Sequence, residues 1–494
     1  MKHSPGTSGL DRRLFLATTA ASLLPASTDI SQAQQPQRAP AASGPALAQG
    51  IAQFTLAFDL KSAPPELLER SRIAFIDTIG VMLGGAHEEV AALARDMIIA
   101  EASAPRATIA SSALRASPQL AAMANGVAAH AMDYDFSFAS GQAISPVIPA
   151  LLPMAETMGS TPLEVMAAFI IGAEVAARLV RTMPKISALG GWHAVGMVGP
   201  IATAAACARL MKLPAPAIVD AIGIAASLSG GVSANFGTMT KPLHSGVAAR
   251  NGVMAALLAA KGFTSSKTAL EGKSGYFDTF NRALPQMDGA FVDFGTRYDL
   301  LTRGYKLKRY PCGGLGHTAI DATLLLREQL GGRVGEIARV EAGITKNAAQ
   351  RIKGAYPDSI ESAKFSMPYL GAWTILNGPP ALRTFTMGSI GDAQVKALAT
   401  KITHHVDAEF ADEVEEAPGR VRVTLANGQT LEQKVWYASG SPENPMTSTQ
   451  IEAKFMDCAL LTKKEADARR LFAFVSDLPN RSSFDGFWPL LGAG

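Results

Sequence analysis

A chain of 494 residues that is 48% hydrophobic and only 18% charged has the material for a large buried core, and this composition excludes disorder over most of its length. Its formal net charge of +3, with the basic residues dispersed along the sequence, excludes a general nucleic-acid-binding surface. Cys207, Cys312 and Cys458 lie far apart with no CxxC pair, which argues against a structural zinc site, an iron–sulfur cluster and a disulfide framework.

The first segment reads as a leader. Arg12-Arg13 precedes Leu14-Phe15-Leu16, an apolar run to Ala26 and a small-residue Ser31-Gln32-Ala33 site. The run is about 13 residues, too short to span a bilayer, and the paired arginines indicate the twin-arginine route. The expectation is a signal peptide over 1–33, a Gln- and Pro-rich linker over 34–46, and a periplasmic or secreted mature protein. Later apolar windows are broken by Gly, Pro, Arg or Lys, so no stable membrane insertion is expected.

From 47 to 288 the periodicity is helical. Pro64-Pro65-Glu66 opens a helix whose apolar face includes Leu67, Leu68, Phe75 and Ile79, and Gly84-Gly85 ends it. Further helices are predicted over 117–131, 149–158, 162–181, 198–211, 214–227 and 245–261. Many carry Ala and Gly on every side, which lets helix axes approach closely.

After this the pattern mixes strand and helix. Residues 339–344 read as a strand, and 420–425 with 430–436 form a hairpin around Asn427-Gly428, a pair suited to the positive φ of a type I′ turn. Helices are predicted over 319–329, 361–376 and 392–400, and again over 449–461 and 463–475. The expected fold class is mainly α: a large, discontinuous all-helical domain (47–288 and 441–494) with a smaller α+β lid domain over 289–440. Segments near Gly289 and Gly440 would be its hinges.

Five stretches set polar groups among small and apolar residues. They are Asn125-Gly-Val-Ala-Ala-His130-Ala-Met-Asp133-Tyr-Asp135, Gly191-Trp-His193, Lys241-Pro-Leu-His244, Lys308-Arg-Tyr-Pro-Cys312 leading to His317, and Lys364-Phe-Ser-Met-Pro-Tyr369. Three stand near predicted helix starts, where N–H groups and the helix dipole attract anions. Together they suit a substrate with several carboxylates. Asp133 and Asp135 lack the further carboxylates of a metal cluster, so no metal is expected. His404-His405, in a strand-like start to a polar stretch, reads as surface.

Asn125–Asp135, Gly191-Trp-His193, Lys241-Pro-Leu-His244 and Tyr310-Pro-Cys312 with His317, together with Ile76-Asp-Thr-Ile-Gly80 and Gly440-Ser-Pro-Glu-Asn-Pro445 followed by Lys454-Phe455, make the sequence resemble the MmgE/PrpD family over about 47–461. The family includes 2-methylcitrate dehydratase, cis-aconitate decarboxylase and an iminodisuccinate epimerase. The resemblance implies a helical domain with an α+β lid, a homodimer, and catalysis without metal or organic cofactor on a small polycarboxylate. It places Asp133, His193, Lys241 and His317 at catalytic positions. Lys241 and His317 would meet substrate carboxylates and developing charge, while His193 and Asp133 would move the proton. Ser137, Gln142, His244, Lys308 and Tyr369 are the expected substrate-binding residues.

Two departures bear on the substrate. Phe136 stands where the family often has a second Asp, and Gly141-Gln142-Ala143 where a His is expected; Gln142 can hydrogen-bond but not titrate. The leading expectation is a cofactor-free lyase of a di- or tricarboxylate of the 2-methylcitrate/cis-aconitate type. An isomerase or epimerase working by reversible proton transfer, and a non-catalytic periplasmic carboxylate-binding protein, are the alternatives.

Overall fold

A computed structural model describes residues 46–139, 141–183, 191–280, 291, 293–411 and 416–492. The segment 1–45, with the expected signal and linker, and the Gly289 hinge position lie outside the described residues. Helices dominate, and a four-stranded sheet is confined to the second half.

The elements that position the site are α1 (Pro65–Gly85), α2 (Pro118–Ala131), α3 (Pro162–Thr182), α4 (Ala194–Leu210) and α5 (Thr240–Ala260) in the helical part. The later part contributes α6 (His317–Leu330), β1 (Ile337–Ile344), α7 (Ile360–Ala363), α8 (Met367–Asn377), β2 (Ile402–Val406), β3 (Gly419–Leu425), β4 (Thr430–Val435) and α9 (Ser448–Ala459). One hydrophobic core spans the helical part and takes in Phe455 and Ala459 of α9, which packs on α1. A separate core, including Ile320, Leu326, Val340, Leu370 and Val423, joins α6 and α8 to the sheet.

The sheet order is β2-β1-β3-β4, with β2 parallel to β1 and the other neighbours antiparallel. Pairing of Thr424 with Thr430 brackets the Asn427-Gly428 turn, where Gly428 has φ +88°. The small side chains of the helical part show their purpose where α2 crosses α5. A Cβ on Gly126 would lie 2.9 Å from the Cα of Gly246, and one on Gly246 would lie 2.6 Å from the Met123 carbonyl. That near-contact of backbones fixes the end of α2 beside the start of α5.

Three helix boundaries differ from the sequence reading. Helix α5 begins at Thr240, so Lys241 lies in its first turn rather than in a preceding loop; Pro242 is tolerated there because first-turn N–H groups have no intrahelical partner. Helix α4 begins at Ala194, with His193 as its flanking residue. The single helix expected over 361–376 is split into α7 and α8, since Ser366 caps α8 by accepting from the Tyr369 N–H and Pro368 sits in its first turn. At the other expected hinge, Gly440 has φ +97° and packs so closely that a Cβ would come within 2.0 Å of the Leu307 carbonyl oxygen.

Candidate active site

Between the helical part and the lid is a cleft of about 240 Å³. His130, Asp133 and Lys241 line it from the helical part, while Ile360, Glu361, Lys364 and Phe365 line it from the lid side. Asp133 sits just past the end of α2 with φ +53°, a left-handed conformation that is uncommon for a non-glycine residue and typical of functional turns.

The loop carrying Asp133 is tied down at several points. Lys308 Nζ donates to the Asp133 carbonyl (2.7 Å), Lys454 Nζ to the Tyr134 carbonyl (2.8 Å), and the Phe136 N–H to Asp77 Oδ2 (3.1 Å). Lys454 also pairs with Asp77 Oδ1 at 2.6 Å, and its ammonium lies 4.1 Å from the centre of the Tyr134 ring. The Tyr134 hydroxyl donates to the Arg309 carbonyl at 3.0 Å. Residues from α1, α9 and the Lys308 segment thus converge on three loop positions, Asp133, Tyr134 and Phe136.

Charge is concentrated on the Asp133 carboxylate. Its Oδ1 pairs with Lys241 Nζ at 2.6 Å and with Lys308 Nζ at 2.9 Å, and accepts from Gln142 Nε2 at 3.1 Å. Burial alone would push this carboxyl up, but Lys241, Lys308 and His130 outweigh it and hold it well below the ordinary carboxylate value. Burial in turn pulls the Lys241 ammonium down, Asp133 opposes that, and Lys308 adds to it. Asp133 is therefore a poor proton acceptor while both lysines face it. Gln142 also donates to Asp135 Oδ1 at 3.0 Å, so its amide bridges the two carboxylates without adding charge.

Histidines form the adjoining wall. His193 is buried, and burial followed by His130, Lys241 and His244 lowers its imidazole well below the usual value. Its Nδ1 lies 3.0 Å from His244 Nδ1, a pairing that requires one proton shared between two nitrogens. The His193 ring stacks on His130 with centroids 5.5 Å apart and packs edge-on to Phe236 at 4.8 Å. His130 Nδ1 is 3.0 Å from each Asp135 oxygen.

The expected site residues separate accordingly. Asp133, Lys241 and Lys308 meet directly, Gln142 joins them, and His193 with His244 stands beside them through His130. His317 opens α6 fully buried, with burial first and Lys308 second holding its imidazole down at about 3. Its Nε2 faces the Cys312 carbonyl at 3.3 Å. His317 thus stands as a neutral imidazole donating to backbone. Tyr369 requires correction: it is buried in the lid core, its hydroxyl donating to the Thr384 carbonyl, and is not part of the described cleft lining. Ser137 lies in a short strand pair opposite Lys306 and is likewise outside that lining.

Sequence reasoning gave no role to His130 or to the Asp77–Lys454 pair, and treated Lys364 only as part of a polar stretch. The available signal for His130 was a histidine in the last turn of an apolar helix followed five residues later by Asp135. Among the described residues no group of three His, Cys, Asp or Glu side chains is arranged to hold a metal ion. No described helix is long and apolar enough to cross a membrane.

A mainly helical part and a smaller α+β part thus border one cleft, which gathers Lys241, Lys364 and His130. Models of the MmgE/PrpD N-terminal and C-terminal domains match residues 49–285 and 310–478, and the chain belongs to the MmgE/PrpD family. It is similar to cis-aconitate decarboxylase from Homo sapiens, 28% identical over 407 residues covering 79% of this chain and 82% of the relative. The Mus musculus enzyme of the same name is 26% identical over 406 residues, with the same coverage. That of Aspergillus terreus is 27% identical over 402 residues, covering 76% and 81%. The chain is accordingly an enzyme of the lyase class.

Proposed function

We propose that the protein is a cofactor-independent lyase, a decarboxylase or dehydratase, acting on a small di- or tricarboxylic acid of the cis-aconitate type. The observation that supports this most is the approach of Lys241 and Lys308 to one buried carboxylate oxygen, at 2.6 and 2.9 Å, beside a cleft of about 240 Å³. Loss of CO₂, or of a carbon-bound proton, leaves enolate-like charge, and fixed cations in a water-poor pocket are what stabilise it. Lys364, from the lid side, can meet a further carboxylate when the cleft is filled. The relatives named cis-aconitate decarboxylase make that acid the first to try.

Incubation of the purified protein with cis-aconitate, 2-methylcitrate and smaller dicarboxylates in deuterated water tests the reading. Release of CO₂ or water, with deuterium at the reacting carbon where a proton is added, is expected. Deuterium uptake with an unchanged formula would replace the lyase reading with an isomerase. We further propose a homodimer and export by the twin-arginine route. Arg12-Arg13 and the apolar run behind them support export, and replacing both arginines by lysine should retain the protein inside the cell.

A further inference from the structure

We infer that His130, oriented by Asp135, is a catalytic acid–base residue whose Nε2 carries the proton delivered to the substrate carbon. The inference rests on the lyase reading above and adds to it a residue that reading does not use.

The geometry fixes the tautomer. Both Asp135 oxygens lie 3.0 Å from His130 Nδ1, and an ionised carboxylate only accepts, so the proton sits on Nδ1 and the lone pair of the neutral ring is on Nε2. His130 is buried, and its Nε2 has no hydrogen-bond partner among the described residues. A buried imidazole nitrogen left bare is unfavourable unless something else takes it up, and His130 is one of the residues bordering the cleft with Asp133 and Lys241. The arrangement has the parts of a carboxylate–imidazole dyad: one nitrogen anchored and the other without a partner, in a residue that borders a pocket.

Asp135, the last turn of α2 and His193 surround the ring. Asp135 on one side, and the last turn of α2 with its partial negative charge, both stabilise an imidazolium. On the other side the stacked His193 ring, 5.5 Å away, disfavours a second positive charge at the same moment. These are the conditions for a group that transfers a proton within one turnover.

In the decarboxylation, the bond between the substrate carbon and the departing carboxylate breaks and CO₂ leaves. The electron pair stays on the carbon skeleton, its charge carried by a remaining carboxylate facing Lys241. Nε2–H of the protonated His130 then delivers its proton to carbon, the ring returns to the neutral Nδ1–H form, and water resupplies the proton. The balance is substrate carboxylate plus one solvent proton giving protonated product and CO₂, the proton passing through His130.

The test uses His130→Asn, whose side-chain amide can still donate to Asp135 but has nothing in place of Nε2, together with Asp135→Asn. With cis-aconitate, His130→Asn should lower kcat by about 100-fold or more with KM changed less than about threefold, and Asp135→Asn should lower it by about 10-fold or more. A packing role would instead move KM, or leave kcat within about threefold once the variant folds. Should His130→Asn fail to fold, the wild-type protein crystallised with tricarballylate, a saturated tricarboxylate, decides. Nε2 within about 4 Å of a ligand carbon supports the assignment, and Nε2 turned from the ligand overturns it. If the wild type seats tricarballylate against Nε2 but releases no CO₂ from cis-aconitate, the choice of substrate falls while the dyad's place at the reacting face stands. If His130→Asn releases CO₂ at the wild-type rate, the dyad falls and the lyase reading stands.

Discussion

Lys241 meets Asp133 at 2.6 Å in the cleft, and Arg422 meets Glu432 at the same 2.6 Å on the lid sheet. The side chains of the first pair are 10% and 7% exposed, those of the second 50% and 37%. Distance alone would rank the two pairs equal. On the sheet, water screens both ions and either side chain can move away at little cost. In the cleft neither ion can regain its hydration, so each depends on its partner, and a third ion, Lys308, is held in place by the same oxygen. The buried cluster is thus a fixed electrostatic field, and the sheet cluster of Arg420, Arg422, Lys434, Glu409 and Glu432 is a solvated surface.

The comparison breaks most sharply at Lys454. Its pair with Asp77 is 4% and 1% exposed, and it also holds the Tyr134 carbonyl, so Lys454→Ala strands a buried carboxylate and frees a backbone acceptor. The expected loss is about 3–5 kcal/mol in urea unfolding. The double change Lys454→Met with Asp77→Asn should recover part of it, because it removes the unpaired charge. A single Lys454→Ala loss below about 1 kcal/mol would show that this pair behaves like a surface pair.

Lys241→Ala sharpens the same point through activity. Asp133 keeps Lys308 as a partner, so the fold should survive better than in Lys454→Ala. Turnover should fall about 100-fold, roughly 2.7 kcal/mol of lost transition-state stabilisation. Unchanged kinetics would remove Lys241 from the site.

The helical body was readable because Ala and Gly at close spacing and Pro at helix starts act locally, and the Asn427-Gly428 hairpin because its turn chemistry is carried by two residues. The strand at Ile402–Val406 was weaker: only Ile402 is buried there, and Thr403, His404 and His405 carry no strand alternation, since pairing with β1 is what holds it. At the site, Lys241 and Asp133 stood out as ionisable residues in apolar surroundings. Tyr369 was misplaced because an aromatic behind Lys364 and Pro368 looks the same whether its hydroxyl meets a ligand or, as here, the Thr384 carbonyl. The charge state of His317 depends on burial at 3% exposure, a property of packing that no local stretch of sequence carries.

Acidification tests the buried histidines. Burial holds His317 at about 3, and it lowers His193 and His244 as well. An unfolded chain takes up these protons near pH 6.5 while the folded one refuses them, so the histidines' contribution to stability is complete above pH 6.5 and falls as pH drops below it. For His317 the loss continues to about pH 3 and amounts to about 2 kcal/mol by pH 5. Asp133, lowered rather than raised, loses its contribution only below the ordinary carboxylate value and stays out of this window. Glu174, whose carboxyl burial raises to about 7, acts in the opposite sense over the same range, so the His317 loss is read as a difference: between pH 7.5, 6 and 5 the urea midpoint of His317→Gln should fall less, or rise more, than that of the wild type. An equal change in that variant would mean other groups carry the effect.

The smallest effect belongs to the exposed sheet. Arg422 and Glu432 face each other across β3 and β4 in direct register, a position where an ion pair adds to pairing of the strands. A double-mutant cycle with Arg422→Ala and Glu432→Ala should give a coupling below about 1 kcal/mol, shrinking further in 1 M salt as screening shortens to about 3 Å. Glu432 also lies 3.8 Å from Arg420, so Glu432→Ala alone removes two attractions and should cost slightly more than Arg422→Ala. A salt-insensitive coupling of several kcal/mol would place this pair with the buried cluster and remove burial as the property that distinguishes the cleft from the sheet.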